Sequence, residues 1–309
     1  MLQGARLNIL ITGCAGFIGS HMSDLLVEKC HKVVGVDMMT YAADKNNMST
    51  FIDKIDFFQA DICNTHLISR LADKYKIDWI INFAAESHVD NSIKNSDPFI
   101  RSNIQGVVSL LNVCRDLDVG MLHISTDEVY GSTNDKPFKE DDKLDPRNPY
   151  SSSKAAAEHF ITSYHNTYGV TYKMVRMSNN FGPRQHGEKL LPTVIRCIGS
   201  EKSIPVYGDG KNIRDWFYVK DCVKMIYDVL CKGSDNQTYN LTHENEMENL
   251  KLIETVCKAM NKDSTEVIKF VDDRPGHDFR YSMCNKKVKS IGISDPTGFN
   301  IALRETIDI

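Results

Sequence analysis

Short, β-rich apolar runs alternate with longer stretches of helical spacing through the first half of the chain. The runs contain few polar residues, as expected for strands that are buried on both faces of a parallel sheet. Parallel strands need right-handed crossovers, which place helices on both sides of the sheet. This pattern predicts a doubly wound α/β fold, with strands at residues 7–11, 32–36, 55–58, 79–83, 121–124 and 171–175.

The pattern changes after residue 178. The chain becomes turn-rich, with a helical pattern at residues 192–199 and a Gly-Asp-Gly turn at 208–210. A strand and a helix at residues 215–230 then resume the earlier rhythm. We therefore predict two domains. The larger one comprises residues 1–178 and 213–241, and a smaller C-terminal α/β domain comprises residues 179–212 and 242–309.

Charge and cysteine content exclude several classes of protein. The 309 residues carry 37 Lys and Arg against 41 Asp and Glu, without a block of five like charges, so neither nucleic acid nor a membrane surface is an expected partner. The apolar runs are far shorter than the ~20 residues of a membrane span or than a secretory signal. Nine scattered cysteines without metal-ligand spacing indicate reduced thiols. We predict a cytoplasmic protein without a metal.

A glycine-rich turn follows the first predicted strand and precedes a helical pattern. Its glycines, Gly13, Gly16 and Gly19, have the spacing GxxGxxG, one residue wider than the common dinucleotide fingerprint. Glycines let the backbone approach a pyrophosphate, which lies at the helix N-terminus where free N–H groups point towards it. Glycines also serve ordinary turns. The position of this triplet in the first strand–turn–helix unit is what indicates nucleotide binding.

Asp37 ends the second predicted strand, eighteen residues after Gly19. A carboxylate at this position accepts hydrogen bonds from the ribose hydroxyls of an adenosine and repels a 2′-phosphate. A helix or turn cap is the alternative interpretation of Asp37. Together with the glycine turn, Asp37 predicts a Rossmann domain that binds NAD rather than NADP.

Polar residues cluster at the end of the fifth predicted strand. Thr126, Asp127 and Glu128 follow it directly, and ligands of open α/β sheets bind at this edge. On the helix predicted next, Tyr150 and Lys154 share a face because they lie four residues apart. An ammonium group beside a phenol and a bound nicotinamide lowers the phenol pKa, which favours a general base. A solvated loop is the alternative for the two carboxylates.

Motifs spread over nearly the whole chain carry a family resemblance. They are TGxxGFIG at 12–19, FAAESHVD at 83–90, STDEVYG at 125–131, YxxxK at 150–154, NNFGP at 179–183, RDW at 214–216 and DRPGHD at 273–278. Together they resemble the extended short-chain dehydrogenase/reductase family, and within it the nucleoside-diphosphate-glucose 4,6-dehydratases. The Thr-Asp-Glu triplet at 126–128 is the specific part, since the related 4-epimerases lack the acid pair.

The resemblance implies a role for each catalytic residue. Tyr150, beside Lys154, removes the proton of the sugar 4-hydroxyl while C4 gives a hydride to NAD, and Thr126 hydrogen-bonds the new ketone. Glu128 then takes the C5 proton as Asp127 protonates the departing 6-hydroxyl. Return of the hydride to C6 leaves a 4-keto-6-deoxy sugar, a step towards deoxysugars such as rhamnose. These roles require a protonated Asp127 and an ionised Glu128.

The resemblance also implies binding residues. Those for NAD, besides the glycine turn, Asp37, Tyr150 and Lys154, are Phe17, Ile18, Thr40, Asp61, Ile62, Phe83, Ala84, Ala85, Ser102 and Asn180. Those for the nucleoside-diphosphate glucose, besides Thr126, are Ser87, Asn179, Lys189, Leu190, Pro205, Tyr207, Arg214, Asn249, Arg274 and His277. The two arginines suit a diphosphate because a guanidinium group binds phosphate bidentately.

The substrate base and the reaction class have alternatives. Asn91 resembles the UDP-glucose enzymes whereas residues 213–216 resemble the dTDP-glucose type, with a slight preference for UDP. A nucleotide-sugar 4-epimerase or decarboxylase of the same fold, and a non-catalytic NAD-binding regulator, are the alternative functions. The acid pair argues against the first two, and retention of Tyr150 and Lys154 argues against the third.

Family members commonly pair two helices across a twofold axis. The corresponding helical patterns, residues 98–115 and 150–168, carry apolar residues outside a single stripe, namely Val107, Leu110, Leu111, Phe160, Tyr164 and Tyr168. The resemblance therefore predicts a homodimer. The alternative is that these residues pack only against their own sheet.

Overall fold

The computed structural model describes residues 4–133, 135–273, 277–293 and 295–307. The strands within them are β1 (Asn8–Thr12), β2 (Lys32–Asp37), β3 (Asp56–Gln59), β4 (Trp79–Asn82), β5 (Gly120–Thr126), β6 (Tyr172–Met177), β7 (Asn179–Phe181), β8 (Ile204–Tyr207), β9 (Ile213–Tyr218), β10 (Gln237–Leu241), β11 (Glu246–Glu248) and β12 (Ile268–Val271). Six of these strands coincide with the predicted apolar runs. Strand β10 has no such run, because the sequence QTYNL is largely polar.

Helices connect most of these strands. They are α1 (Phe17–Glu28), α2 (Thr65–Tyr75), α3 (Val89–Lys94), α4 (Asp97–Phe99), α5 (Gly106–Leu117), α6 (Pro149–Tyr168), α7 (Leu190–Gly199), α8 (Val219–Lys232), α9 (Asn249–Ala259), α10 (Ser264–Val267), α11 (Lys286–Lys289) and α12 (Phe299–Ile307). None of the helices described here combines the length and apolarity that crossing a membrane requires.

The helix predicted at residues 98–115 is divided into three parts. A π-helical segment, Ile100–Gln105, separates α4 from α5. Within it, the Asn103 side chain accepts a hydrogen bond from the Glu86 backbone nitrogen and donates one to the Glu86 carbonyl, both at 2.9 Å. Segments of this kind interrupt helices where a side chain has another task. Here Asn103 fastens the chain that follows β4.

Seven strands form the central parallel sheet in the order β10-β6-β5-β4-β1-β2-β3. The predicted doubly wound fold is therefore confirmed. The chain runs outwards from β1 through β2 to β3, then returns to β4 on the other side of β1. Ligands of such sheets bind outside the carboxyl ends of the strands at this switch point. The glycine turn after β1 and the polar residues after β5 lie at that edge.

Helices bury both faces of the sheet, which explains the nearly continuous apolar strands. Successive side chains of a strand point to opposite faces. Ile9 and Ile11 accordingly pack with residues of α1 and α8, whereas Leu10 packs with residues of α2, α5 and α6. All three side chains are fully buried. The sheet is therefore a rigid base for the groups at its carboxyl edge.

The rest of the chain forms smaller sheets beside this edge. Strands β11, β9 and β7 make a three-stranded sheet, and β12 pairs with β8. Their core also includes residues of α7, α9 and α12. Strand β9 lies in the segment predicted to belong to the larger domain, but it pairs with β7 and β11, and only the following α8 packs on α1.

Candidate active site

The glycine turn packs directly against the chain that follows β4. Gly13 has a φ of +69°, and a Cβ atom there would lie 2.7 Å from the backbone nitrogen of Ala84. A Cβ atom on Gly19 would overlap the carbonyl oxygen of Gly13. Residues with side chains do not fit these positions. The glycine turn is therefore held close to the backbone at residues 83–84 and to the start of α1. The first residues of α1 line a cavity.

Asp37, at the end of β2, helps to shape the same turn. Its carboxylate accepts hydrogen bonds from the backbone nitrogens of Ala15 at 2.9 Å and Met39 at 2.8 Å. Burial raises the pKa of Asp37, and the two backbone donors oppose that increase. Asp37 also lines the first cavity, so its structural and binding interpretations are compatible.

Two adjoining cavities follow the carboxyl edge of the sheet, with volumes of about 620 and 1350 Å³, both of which include open solvent. All predicted cofactor residues line one or both of them. The first cavity is lined by Gly13, Gly16, Asp37, Thr40, Asp61, Ile62, Phe83, Ala84, Ala85 and Ser102. The second is lined by Phe17, Ile18, Gly19, Tyr150, Lys154 and Asn180. Gly13, Gly16, Phe83 and Ala85 line both cavities.

The catalytic triplet begins at the last residue of β5 and continues into a 3₁₀ turn, Asp127–Tyr130. The Thr126 hydroxyl donates to Asp127 Oδ1 at 3.1 Å and accepts from the backbone nitrogen of Glu128 at 3.3 Å. Asn148 Nδ2 donates to Glu128 Oε2 at 3.3 Å. The two carboxylates are therefore held in the cleft by their own turn and by the residue that caps α6. A solvated loop does not describe them.

The environments of the two carboxylates differ. Asp127 is 4% exposed, whereas Glu128 is half-buried. Burial, and secondly the charge of Glu128, raise the pKa of Asp127 to about 8, while Arg214 opposes the increase. Asp127 therefore holds a proton at neutral pH and can act as an acid. This agrees with the role that the family resemblance implies.

Tyr150 and Lys154 lie on the first turns of α6. The helix starts at Pro149 and has a capping box between Asn148 and Ser151, so its beginning is well defined. Ser92 Oγ accepts a hydrogen bond from the Tyr150 backbone nitrogen at 3.2 Å. The helix predicted at residues 150–168 is thus confirmed, and the cap fixes where Tyr150 enters the cleft.

The expected lowering of the Tyr150 pKa depends on a bound nicotinamide and stays a prediction, whereas the protein's own groups shift this pKa upwards. Burial and the charge of Glu128 raise it, and a hydrogen bond with Thr126 opposes them. The Lys154 ammonium donates instead to the carbonyl oxygen of Ile124 at 2.5 Å. Burial lowers the pKa of Lys154 to about 8, with Glu158 acting in the opposite direction. The i, i+4 spacing predicted a shared face but not the direction of the lysine head group.

The predicted sugar-nucleotide residues fall into two groups. Ser87, Asn179, Lys189 and Leu190 line the second cavity with the catalytic triplet. Among the described residues, the others lie outside the lining of both cavities: Pro205 and Tyr207 on β8, Arg214 on β9, Asn249 at the start of α9, and His277. Arg274 lies outside the described residues.

Arg214 is buried and its donors are already engaged. Its guanidinium donates to the carbonyl oxygens of Ile213, Asp278 and Phe279 at 2.7 to 3.2 Å. The same group lies 4.2 Å from the centre of the Tyr281 ring. In this arrangement Arg214 holds the chain at 278–281 in place. Its positive charge also lowers the pKa of Asp127. Its predicted role in binding a diphosphate stays a prediction.

The structure adds cavity residues to which the sequence analysis assigned no binding or catalytic role. Gln185, His186, Glu188 and Trp216 line the second cavity. Their signal is weak in sequence, because they lie in loops or, like Trp216, within an apolar strand. Within the described residues, buried polar atoms at this cavity without a hydrogen-bond partner include Asn179 Oδ1, Asn180 Oδ1, Gln185 Oε1 and Trp216 Nε1. Buried polar atoms are normally paired, so these suit a polar ligand such as a dinucleotide or a nucleotide sugar.

This chain is similar to known proteins over nearly its whole length. The family model described as GDP-mannose 4,6 dehydratase matches residues 10–306. The low-salt glycan biosynthesis protein Agl12 of Haloferax volcanii is 41% identical over 307 residues, 98% of each chain. The dTDP-glucose 4,6-dehydratase of Haemophilus influenzae is 37% identical over 327 residues, 97% of each chain.

A solved structure extends the likeness to three dimensions. The dTDP-glucose 4,6-dehydratase DesIV of Streptomyces venezuelae, crystallised with NAD and TYD bound, superposes with a TM-score of 0.94 at 34% identity, covering 98% of this chain and 96% of that one. The chain therefore belongs to the GDP-mannose 4,6 dehydratase family, within the extended short-chain dehydrogenases/reductases.

Proposed function

We propose that this protein is a hydro-lyase that converts a nucleoside-diphosphate glucose to its 4-keto-6-deoxy derivative with NAD. The observation that carries the proposal is the acid pair in the cleft, in which Asp127 has a pKa raised to about 8 beside Glu128. An acid and a base at adjacent positions are what an elimination of water requires. The relatives named as 4,6-dehydratases support this reaction class.

The residues around the two cavities suit NAD. The glycine turn and the start of α1 would hold the pyrophosphate, and Asp37 would accept from the adenosine ribose. The carboxylate of Asp37 would repel a 2′-phosphate, which supports NAD over NADP. When bound, NAD supplies a hydride acceptor for C4 of the sugar and returns that hydride to C6.

The chain's own residues move the protons. Tyr150 accepts the proton of the 4-hydroxyl, and Thr126 donates a hydrogen bond to the oxygen that becomes a ketone. The ketone acidifies C5, whose proton Glu128 accepts. Asp127 gives its proton to the 6-hydroxyl, which leaves as water, so the elimination forms the C5–C6 double bond. When C6 takes back the hydride, Glu128 returns a proton to C5. Tyr150 then gives up the proton of the 4-hydroxyl and Asp127 regains one, directly or through solvent, so each side chain returns to its starting state.

We propose dTDP-glucose as the preferred substrate, with UDP-glucose as the alternative. The named dehydratase relatives act on dTDP-glucose, which outweighs the slight preference for UDP from Asn91. In the structure, Asn91 Nδ2 donates to the hydroxyl of Tyr41 at 3.4 Å. Tyr41 lies between Thr40 and Ala42, which line the first cavity, so Asn91 already has a partner beside the cofactor residues. Competition between the two nucleotides at equal concentration tests the preference.

The decisive experiment is incubation of the purified protein with NAD and dTDP-glucose, followed by proton NMR of the sugar. We expect loss of the C6 hydroxymethyl signals and appearance of a methyl group. An intact hydroxymethyl with inverted C4 would indicate an epimerase. A decarboxylase would leave dTDP-glucose unchanged and release CO2 from the corresponding uronic acid. Binding of NAD without any change in the sugar would indicate a regulator. Tyr150→Phe provides the inactive control.

We also propose that the protein is a homodimer paired through α6. Phe160 and Tyr168 are 40% and 54% exposed on this helix, which is unusual for large apolar side chains. Val107, Leu110 and Leu111 on α5 are fully buried in the protein's own core, so the expectation that they lie outside the core-facing stripe is wrong. Light scattering of the double variant F160E/Y168E should give a monomer mass where the wild type gives a dimer.

The predicted two-domain division and the cellular location are part of the same proposal. A cleft between residues of the larger α/β unit and the smaller sheets suits a cofactor on one side and a nucleotide sugar on the other. Six of the nine free cysteines are buried, as expected of thiols that serve as small apolar side chains in the cytoplasm.

A further inference from the structure

A row of buried polar side chains crosses the central sheet beneath the active site. Thr12, Asn82 and His123 are register partners on β1, β4 and β5, and each is at most 1% exposed. The Thr12 hydroxyl donates to Asn82 Oδ1 at 2.6 Å, and Asn82 Nδ2 lies 3.1 Å from His123 Nδ1. The adjacent residues in their strands are apolar, so these groups depend on one another for hydrogen bonds.

Both ends of the row contact functional groups. His123 Nε2 lies 3.3 Å from Lys154 Nζ. At the other end, the Thr12 hydroxyl accepts a hydrogen bond from the backbone nitrogen of Ala84 at 3.2 Å. Ala84 lines the first cavity and Lys154 lines the second. The row therefore connects the lysine of the catalytic helix to the backbone of the cofactor site.

The charge states make His123 a partner for an ammonium group. Burial and the nearby Lys154 hold the pKa of His123 well below its usual value, so the ring is neutral. A neutral imidazole accepts at one nitrogen and donates at the other. As the Asn82 amide stands, Nδ2 donates to His123 Nδ1; a half-turn of the amide presents Oδ1 to the ring, so that Nδ1 can donate to it, and presents Nδ2 to the Thr12 hydroxyl. His123 can therefore accept from protonated Lys154 while its other nitrogen stays paired.

Other titratable groups also act on Lys154. Glu158, one turn further along α6, favours the protonated lysine. Its carboxylate is paired with Arg176 of β6 at 2.6 Å, which reduces its effect on other cations. Other ionisable side chains that line the same cavity are Tyr150 on α6, Asp127 and Glu128 in the turn after β5, and His186, Glu188 and Lys189 in the loop before α7.

We propose that His123 is a positioning residue that keeps Lys154 protonated and, through Asn82 and Thr12, fixes it relative to the cofactor-binding backbone. The consequence for activity rests on the proposed function, in which Lys154 acts beside Tyr150. Burial lowers the pKa of Lys154, and a hydrogen bond to the imidazole opposes that decrease. Without the imidazole, Lys154 loses its proton at a lower pH. The alkaline limb of the kcat/KM profile then moves to lower pH.

The test compares His123→Leu, which has no acceptor, with His123→Gln, whose side-chain carbonyl can accept from Lys154. His31→Gln is the matched control, because His31 is also a buried histidine, bonded to the Leu7 backbone nitrogen and the Tyr227 hydroxyl. The Lys154 pKa is measured in the NAD-loaded protein by ¹³Cε-lysine NMR, with Lys154→Arg assigning the signal. The pH profile of kcat/KM is recorded alongside.

We expect His123→Leu to lower the Lys154 pKa and the alkaline limb together by about one pH unit, the size of a lost hydrogen bond to a charged group. Activity would fall about tenfold at pH 9 and little at pH 6. His123→Gln and His31→Gln should keep the wild-type limb. An unchanged Lys154 pKa, or an equal loss of activity at every pH, would overturn the proposal.

The experiment remains decisive if His123→Leu does not fold or if the wild-type protein is inactive. If His123→Leu does not fold, His123→Asn replaces it, since asparagine is too short to reach Lys154. An identical Lys154 pKa in the Asn and Gln variants would then reject the positioning role. If the wild-type protein has no dehydratase activity, the NMR titration still decides the role of His123, so failure of the proposed function is recognised separately.

Discussion

The cofactor half and the sugar-nucleotide half of the cleft are built differently. All predicted cofactor residues converge on two adjoining cavities, and most of them lie at the carboxyl ends of β1, β2 and β4 or directly after them. The predicted sugar-nucleotide residues come from loops, small sheets and the starts of helices, and among the described ones outside the triplet at 126–128, four line the second cavity. Register of one sheet positions the first half, whereas contacts between distant segments position the second.

The two halves also differ in how their polar groups are satisfied. Both carboxylate oxygens of Asp37 accept backbone hydrogen bonds. Within the described residues, the side-chain oxygens of Asn179 and Gln185, and of the neighbouring cofactor residue Asn180, have no such partner. The cofactor half is therefore preorganised by its own backbone, and the sugar-nucleotide half carries groups suited to pairing with a ligand.

The largest effect is expected at the boundary of the halves, at Glu128. Glu128→Gln keeps the shape of the side chain but removes the base, so formation of 4-keto-6-deoxy product should slow by roughly 10² to 10⁴. Oxidation at C4 should still occur. Quenching with sodium borodeuteride should therefore place deuterium at C4 of recovered glucose, with little solvent deuterium at C5. Turnover at the wild-type rate would show that Glu128 has no catalytic role.

Gly13→Ala tests the rigid cofactor half. The added Cβ would meet the Ala84 backbone, which cannot move without disturbing β4, so we expect NAD affinity to fall by about 10². Gly169→Ala is the control, because Gly169 has a φ of +76° but no atom within 4 Å of the added Cβ. Calorimetric titration with NAD should separate the two variants. Equal losses would mean that backbone strain, and not the close approach, matters.

Asp127→Asn tests the electrostatics of the acid pair. The pKa of Asp127 is raised to about 8 on folding, so wild-type stability declines as pH rises from about 4 to about 8, because the unfolded carboxyl ionises first. The neutral amide has no such dependence. The melting temperature of the variant should gain on the wild type by roughly 3 °C per pH unit in this window. A constant difference between pH 5 and pH 8 would contradict the raised pKa.

The smallest effect is expected at Asn179 in the sugar-nucleotide half. Asn179→Ala removes an oxygen that lacks a partner within the described residues, so stability should be unchanged or slightly higher. Nucleotide-sugar affinity should fall about tenfold, the size of one lost hydrogen bond, while NAD affinity stays the same. Equilibrium binding of dTDP and of NAD measures both. A parallel loss of NAD affinity would place Asn179 in the cofactor half.

Local sequence patterns were sufficient to predict those elements whose characteristic residues lie within one segment of the chain. The glycine turn, Asp37 and the triplet at 126–128 each lie within or beside a strand whose apolar run is evident, and sheet topology then brings strand ends together. Helix α6 was equally evident, because its stripe is regular and Pro149 marks its start.

The sequence by itself determined the doubly wound sheet and the glycine turn, because these depend on residue periodicity and on neighbours in the chain, and the family resemblance predicted the roles of the acid pair. Only the tertiary structure decided the environment of those groups. Burial set the pKa of Asp127, Lys154 was directed to Ile124 and His123, and Arg214 was committed to the chain at 278–281. Desolvation and long-range hydrogen bonds depend on segments far apart in the chain, so no local pattern encodes them.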